Sequence, residues 1–247
     1  MNAPIEQWRR DAAAPFQGWD FNYLTGRFSE AKPEWDYAAQ AATIVRRSQD
    51  ILDIDTGGGE FLSSLAPFPG RATAVEGYAP NLAVAGRRLE PLGVPVLQAD
   101  AASHLPFEDG VFDLVLNRHG AIQCAEIHRV LKRGGVFLTQ QVGGDNLADL
   151  MDRFGVNPAW PANTPDQVSR QLRALGFDIQ EAREWRGPVT FLDVGALVYF
   201  LKAIPWVVEG FDVESDLESL TALHATLKAG HPLQFTCTRF LIQAVKS

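Results

Sequence analysis

Cysteine is scarce in this chain of 247 residues, with only Cys124 and Cys237 present. Two cysteines cannot build a disulfide framework or a cysteine-bound zinc site. Each stands in an apolar stretch, where a small core residue is expected. Long apolar runs are missing as well. The most apolar stretch, Val194 to Val208, is too short to span a bilayer and contains Lys202 and Pro205. The start, Met1-Asn2-Ala3-Pro4, shows no basic segment followed by an apolar run, so a soluble, cytoplasmic protein without a signal peptide is expected. Positive charge is in deficit: 22 Lys and Arg against 30 Asp and Glu give a formal net charge of −8. No overall field favours a phosphate backbone, so no nucleic-acid partner is expected. The pairs Arg9-Arg10, Arg46-Arg47 and Arg87-Arg88 are scattered and read as solvated helix faces. The apolar content of 46% and charged content of 21% rule out wholesale disorder.

No repeat or low-complexity tract occurs. The first fifty residues are rich in aromatics: Trp8, Phe16, Trp19, Phe21, Tyr23, Phe28, Trp35 and Tyr37. They show no clean periodicity before a helix expected over Tyr37 to Arg47. From Asp50 onward, short β-branched or apolar runs alternate with helical stretches. Strands are expected at Ile51–Ile54, Ala72–Val75, Val94–Leu97, Phe112–Leu116 and Val136–Gln141. Helices are expected at Pro80–Leu92 and Ala121–Leu131. Such alternation predicts a parallel sheet covered on both faces. Thr164-Pro165-Asp166-Gln167 carries a capping hydroxyl, a proline at the first helical position and a glutamine three residues on. That helix stops at Leu175-Gly176. Two long strands, Phe177–Trp185 and Phe235–Val245, follow. Between them lies an apolar, aromatic insertion at 191–233, with helices near Asp193–Ala203 and from Ser215-Asp216-Leu217-Glu218 to Gly230. The insertion suits a cover over a small organic molecule and equally a homodimer face.

The segment Ile51-Leu52-Asp53-Ile54-Asp55-Thr56-Gly57-Gly58-Gly59-Glu60-Phe61-Leu62 carries the strongest chemical signal. A buried strand runs into three glycines and a helix start, which lets backbone amides approach a ligand closely. Glu76 ends the second strand, seventeen residues after Gly59, where a carboxylate accepts hydrogen bonds from ribose hydroxyls. Asp100 follows the third strand, where it can accept from an adenine amine while the Ala101 amide donates to a ring nitrogen.

On these residues the chain resembles the class I S-adenosylmethionine-dependent methyltransferases. Asp53 and Gly57-Gly58-Gly59 resemble the family's first motif. Glu76 matches its ribose-binding acid and Asp100 its adenine-binding acid. Phe112-Asp113-Leu114-Val115-Leu116-Asn117 is similar to its fourth strand, and Leu131-Lys132-Arg133-Gly134-Gly135-Val136 to the turn before its fifth. The resemblance implies a doubly wound, mostly parallel seven-stranded sheet with a reversed last strand. It implies a helical cap or lid at 1–48 and a methyltransferase domain at 49–247. It also implies S-adenosylmethionine as cofactor, held by Asp53, Asp55, Thr56, Gly57, Gly59, Glu76, Gly77, Asp100, Ala101 and Asn117. Tyr23, Arg27 and Tyr37 of the cap are expected to help enclose it, with Arg27 near the cofactor carboxylate.

One residue departs from the family pattern. Asp55 stands where glycine is usual, crowding the methionine end and repelling its carboxylate while favouring its ammonium and sulfonium. Asp55→Gly is therefore expected to tighten cofactor binding. A nicotinamide enzyme is the competing reading of Glu76, but the third glycine of its fingerprint is replaced by Leu62. After the fourth strand, Asn117-Arg118-His119 differs from the Asn-Pro-Pro of nucleic-acid and protein amino methyltransferases. A small-molecule acceptor is expected, with a catalytically degenerate binding protein and an RNA or protein methyltransferase as alternatives. His119 is the candidate general base, since an imidazole titrates near neutrality. Gln140-Gln141 close the fifth strand within reach of an acceptor. His104, His128, His224 and His231 lack metal-ligand spacing, and no metal is expected.

Overall fold

A computed structural model describes residues 2–16 and 21–247; Gln17 to Asp20, Trp19 among them, lie outside the described residues. In chain order the elements are α1 (Asn2–Ala13), β1 (Phe28–Glu30), α2 (Tyr37–Val45), β2 (Asp50–Ile54), α3 (Glu60–Ser64), β3 (Arg71–Glu76), α4 (Ala79–Leu89) and β4 (Val96–Gln98). They continue with β5 (Phe112–Arg118), α5 (Cys124–Val130), β6 (Leu131–Val142), α6 (Ala148–Met151), α7 (Pro165–Ala174), β7 (Phe177–Phe191), α8 (Val194–Ala203), α9 (Leu217–Lys228) and β8 (Leu233–Lys246). The strands form one sheet of eight, in the order β1-β7-β8-β6-β5-β2-β3-β4. β4, β3, β2, β5 and β6 run parallel, and β8 pairs antiparallel with β6. No described helix is long and apolar enough to cross a membrane.

The chain divides into two compact units. The second comprises Glu34–Gly143, Ala162–Trp185 and Arg239–Ser247 and holds the parallel strands. Its strands are apolar on both faces, and alternate residues serve separate cores. Ile51, Leu114, Leu116 and Leu138 pack with Ala41 and Ile44 of α2, Leu62 of α3 and Leu89 of α4. Leu52, Ile54, Val115 and Phe137 pack with Ile127 and Val130 of α5 and Leu172 of α7. The period-2 side-chain alternation of a strand buried on both sides produces this division. α7 starts as its sequence predicts, with Thr164 Oγ1 accepting from Gln167 N at 3.2 Å.

The first unit comprises Met1–Pro33, Gly144–Pro161 and Arg186–Thr238. Here α1 packs on α8, a helix buried along nearly its whole length. Asp193 caps α8, its carboxylate accepting from Ala196 N at 2.8 Å. Residues 1–33 group with two distant segments, and α2 lies in the second unit.

Several expectations need correction. The sheet has eight strands rather than seven; the extra one, β1, is a three-residue edge strand pairing Phe28 with Phe191. Helix α1 shows no stripe in sequence because, among its described side chains, only Trp8 and Asp11 are buried. β4 begins two residues late, beyond Pro95, which has no N–H to give a ladder. α5 is shorter at both ends, since the Ala121 amide is taken by Asp55 and Leu131 already pairs with Phe112 in the sheet. At α9 no capping box forms; the Asp216 carboxylate accepts from Asp212 N instead, at 3.0 Å.

Candidate functional site

The order of strands reverses around β2, between β5 and β3. In doubly wound sheets, ligands bind outside the carboxyl ends of strands at such a point. The glycine turn sits there. Asp55, Gly57 and Gly59 all adopt left-handed backbone, with φ of 57°, 62° and 77°. Both ends of the turn are pinned: Thr56 N donates to Val75 O at 3.1 Å, and Gly59 N to Thr56 O at 3.0 Å. A side chain at Gly59 would bring its Cβ to 2.9 Å from Leu89 Cγ, so the turn packs directly on α4. Glu76 is buried and accepts from Gly57 N at 2.7 Å and Tyr78 N at 2.8 Å. It thereby ties the glycine turn to the end of β3. At the end of β4, Asp100 is exposed and accepts from Ala102 N and Ser103 Oγ, while Ala101 is buried. At Gly77 an added Cβ would meet Ala99 O at 3.3 Å, which brings the ends of β3 and β4 side by side. Arg88, expected on a solvated helix face, reaches back to Gly58 O and the Glu60 carboxylate.

Negative charge gathers at the end of β2. Asp53 is buried, and loss of hydration, joined by the charges of Asp55 and Glu76, pushes its pKa up to about 7. Burial raises Asp55 to about 6, with Glu76 and Asp100 adding to it, against the hydrogen bond from Ala121 N at 3.0 Å. That bond ties Asp55 to the loop after β5. The loop approaches so closely that a Cβ on Gly120 would lie 2.6 Å from the Asp55 Cβ. The carboxylate that departs from the glycine pattern is thus a brace between two loops.

Asn117 is fully buried at the end of β5. Its Nδ2 donates to Ile54 O and Ala121 O, and its Oδ1 accepts from Gln141 Nε2 and Thr139 Oγ1. Its side chain joins β2, β5 and β6. Tyr37, expected in a lid, is buried between α2 and the sheet, against Phe61, and donates to Leu138 O at 3.3 Å. His119 has φ of 63°, and its N–H donates to Gln140 O at 2.9 Å. Its Nε2 lies 3.3 Å from Gln140 Nε2, and Gln140 Oε1 accepts from Trp35 Nε1 at 2.8 Å. His119 keeps one side exposed. The protein packed on its other side, then the charges of Arg239 and Arg118, hold its pKa well below the ordinary imidazole range. The Arg118 guanidinium sits 5.4 Å above the Phe61 ring and makes no ion pair among the described residues.

Tyr23 and Arg27 belong to the first unit and are engaged there. Tyr23 OH donates to Asp11 Oδ1 at 2.7 Å, and its ring stacks on Tyr199 at 4.4 Å. Arg27 donates to Asp11 Oδ1 at 3.1 Å and to both Asp193 oxygens at 2.9 and 2.7 Å. The structure therefore brings together Asp53, Asp55, Thr56, Gly57, Gly59, Glu76, Gly77, Asp100, Ala101, Asn117 and His119, all in the second unit. The sequence reading missed Trp35 and Gln140 as a pair: 105 positions apart, neither carries a local signal of the other. Among the described residues no three His, Cys, Asp or Glu gather as a metal site.

Residues 52–139 match the methyltransferase domain family. No curated protein shows significant sequence similarity. Among solved structures, a candidate methyltransferase from Bacillus halodurans aligns with a TM-score of 0.61 and 21% identity, covering 85% of this chain and 98% of that one. The YcgJ protein from Bacillus subtilis aligns with a TM-score of 0.62 and 20% identity, over 85% and 97%. A geranyl diphosphate methyltransferase, solved with its substrate and sinefungin, aligns with a TM-score of 0.52 and 15% identity, over 85% and 77%. Residues 52–139 thus match a methyltransferase domain, and the chain shares its Rossmann-like α/β fold with these solved structures.

Proposed function

We propose that the protein transfers a methyl group from S-adenosylmethionine to a small organic acceptor. The carrying observation is the pair of carboxylates at the end of β2, Asp53 buried and Asp55 half-buried, beside a glycine turn at the strand-order reversal. Burial leaves both acids reluctant to ionise, and the charge of Arg118 offsets this only in part at Asp53. A ligand bearing an ammonium and a sulfonium supplies the missing positive charge, which the two phosphates of a dinucleotide would not. Glu76 would hold the ribose hydroxyls through its remaining lone pairs, and Asp100 with the Ala101 amide would hold the adenine. When bound, the cofactor supplies an electrophilic methyl carbon. The chain's part is to align the acceptor with it and exclude water. The net charge of −8 favours a small acceptor over a nucleic acid.

Calorimetry with S-adenosylmethionine, S-adenosylhomocysteine and NADH tests this reading. Micromolar binding of the two sulfur compounds, with no binding of NADH, is expected. Preference for NADH overturns it. The fold also carries a [4+2]-cyclase, SpnF, which aligns with a TM-score of 0.51 and 18% identity over 100% of this chain and 93% of that one, so a second reading is a protein that transfers no methyl group. Formation of S-adenosylhomocysteine on incubation with candidate acceptors separates the two.

A further inference from the structure

Trp35, Gln140 and His119 form a directional relay that fixes the protonation pattern of the imidazole. An indole N–H only donates. Trp35 Nε1 therefore holds the Gln140 carbonyl oxygen, at 2.8 Å, and the Gln140 NH2 must face the other way. It faces His119 Nε2, 3.3 Å away. An amide NH2 carries no lone pair to offer, so the His119 Nε2 must accept. A neutral imidazole whose Nε2 accepts bears its proton on Nδ1. Gln140 is only 8% exposed and Trp35 8%, so water does not readily replace either partner. The main chain adds to the constraint, since His119 N–H is bonded to Gln140 O.

A histidine in this state has no free lone pair with which to take a proton. What it offers is a single N–H. Beside it on β5, in register with Gln140, stands Arg118, whose cation makes no ion pair among the described residues. Arg239 lies across β6, in register with Val142. Donor and cations together suit a negatively charged oxygen.

We propose that His119 acts as a hydrogen-bond donor through Nδ1–H to an oxyanion of the acceptor, carboxylate or phosphate, with Arg118 as its charged neighbour and Trp35 and Gln140 as positioning residues. This rests on the methyltransferase reading above and replaces the base role expected of His119.

The test is nitrogen-15 NMR of the histidine side chains, which separates the two neutral tautomers and the imidazolium. Wild-type protein should show His119 with Nδ1 protonated and still neutral at pH 5.5. Gln140→Glu should reverse the tautomer, because a carboxylate accepts from both Trp35 and His119. Trp35→Phe, which keeps the ring but frees the Gln140 amide to rotate, should give a mixture. A wild-type Nε2–H tautomer, or an imidazolium at pH 6.5, overturns the assignment. Inorganic phosphate and acetate are then added to protein saturated with S-adenosylhomocysteine. One of them should shift the His119 Nδ1 signal saturably, which names the headgroup, and Arg118→Gln should weaken that response at least fivefold. Silence from both overturns the oxyanion assignment. A shift on adding S-adenosylhomocysteine alone, with none afterwards, overturns it by giving the donor to the cofactor's own carboxylate. If that compound does not bind at all, the methyltransferase reading falls, and the same anions on the free protein still decide the role of His119.

Discussion

At the scale of single residues, the cost of burying charge sets the behaviour of the site. Asp53 in the folded protein titrates near 7, well above an ordinary aspartate near 3.9. A raised folded pKa means that its stabilising contribution is complete below pH 4 and is lost as pH rises through 7. The shift corresponds to roughly 2–4 kcal/mol lost by pH 8. Asp53→Asn should therefore match wild type in stability near pH 4 and exceed it by about that amount at pH 8. Urea denaturation at pH 4, 6 and 8 checks this; a gap that does not change with pH contradicts it. Asp55, raised to about 6, has the same sign over a lower window. A cationic ligand draws both acids into their charged forms. S-adenosylmethionine should accordingly bind wild type about tenfold more tightly at pH 8 than at pH 5, by calorimetry, and Asp53→Asn should flatten that dependence. The glycine replacement at Asp55 has two opposing effects. It relieves a left-handed aspartate, yet it removes the brace to the Ala121 amide.

Whole elements separate into those made by local chemistry and those made by packing. α7 is local: Thr164 caps it and Pro165 opens it. Thr164→Ala should cost about 1 kcal/mol in denaturant unfolding and leave cofactor affinity unchanged, since the cap's hydrogen bond stays within α7. The turn itself is set by packing. Gly59→Ala places a Cβ against Leu89 in a left-handed conformation, so a loss of about 2 kcal/mol and of cofactor binding is expected. Normal binding by that variant would show that the turn does not contact the ligand. The same division explains what could be read from sequence. β2, β3 and β5 announce themselves as apolar runs closed by Asp55, Glu76 and Asn117, because strands buried on both faces need uniform side chains. Thus Asp53, Glu76 and Asp100 could be placed at strand ends without coordinates. β1 has three residues, too few for a period, and gains its ladder only from the far end of β7. α1 is helical because α8 covers it. The direction of His119 depended on Trp35 and Gln140, and no local spacing encodes a bond across 105 positions.

The molecule as a whole draws its first unit from three separated segments, and β7 and β8 each have residues in both units. Long-range side-chain bonds join these segments. Asp11 is the densest of these. It is fully buried and accepts from Gln7, Tyr23 and Arg27, which tie α1 to the segment before β1. Through Arg27 it also reaches Asp193, the cap of α8. Deleting residues 1 to 35 would test an enclosing role badly, since it strips the cover from α8 as well. Asp11→Asn is the milder probe: it keeps the volume and removes the charge that faces Arg27. Breaking a buried ion pair from one side costs about 3–5 kcal/mol, and the retained Asp193 partner should bring this to the lower end. If the two units open separately, hydrogen exchange should quicken by a factor of about 100 in α1 and α8 and stay unchanged in β2 and β5. Equal acceleration in all four elements would mean that the long strands carry the strain through and that the chain unfolds as one. Separate opening is the expected result, because every bond that Asp11 makes lies within the first unit.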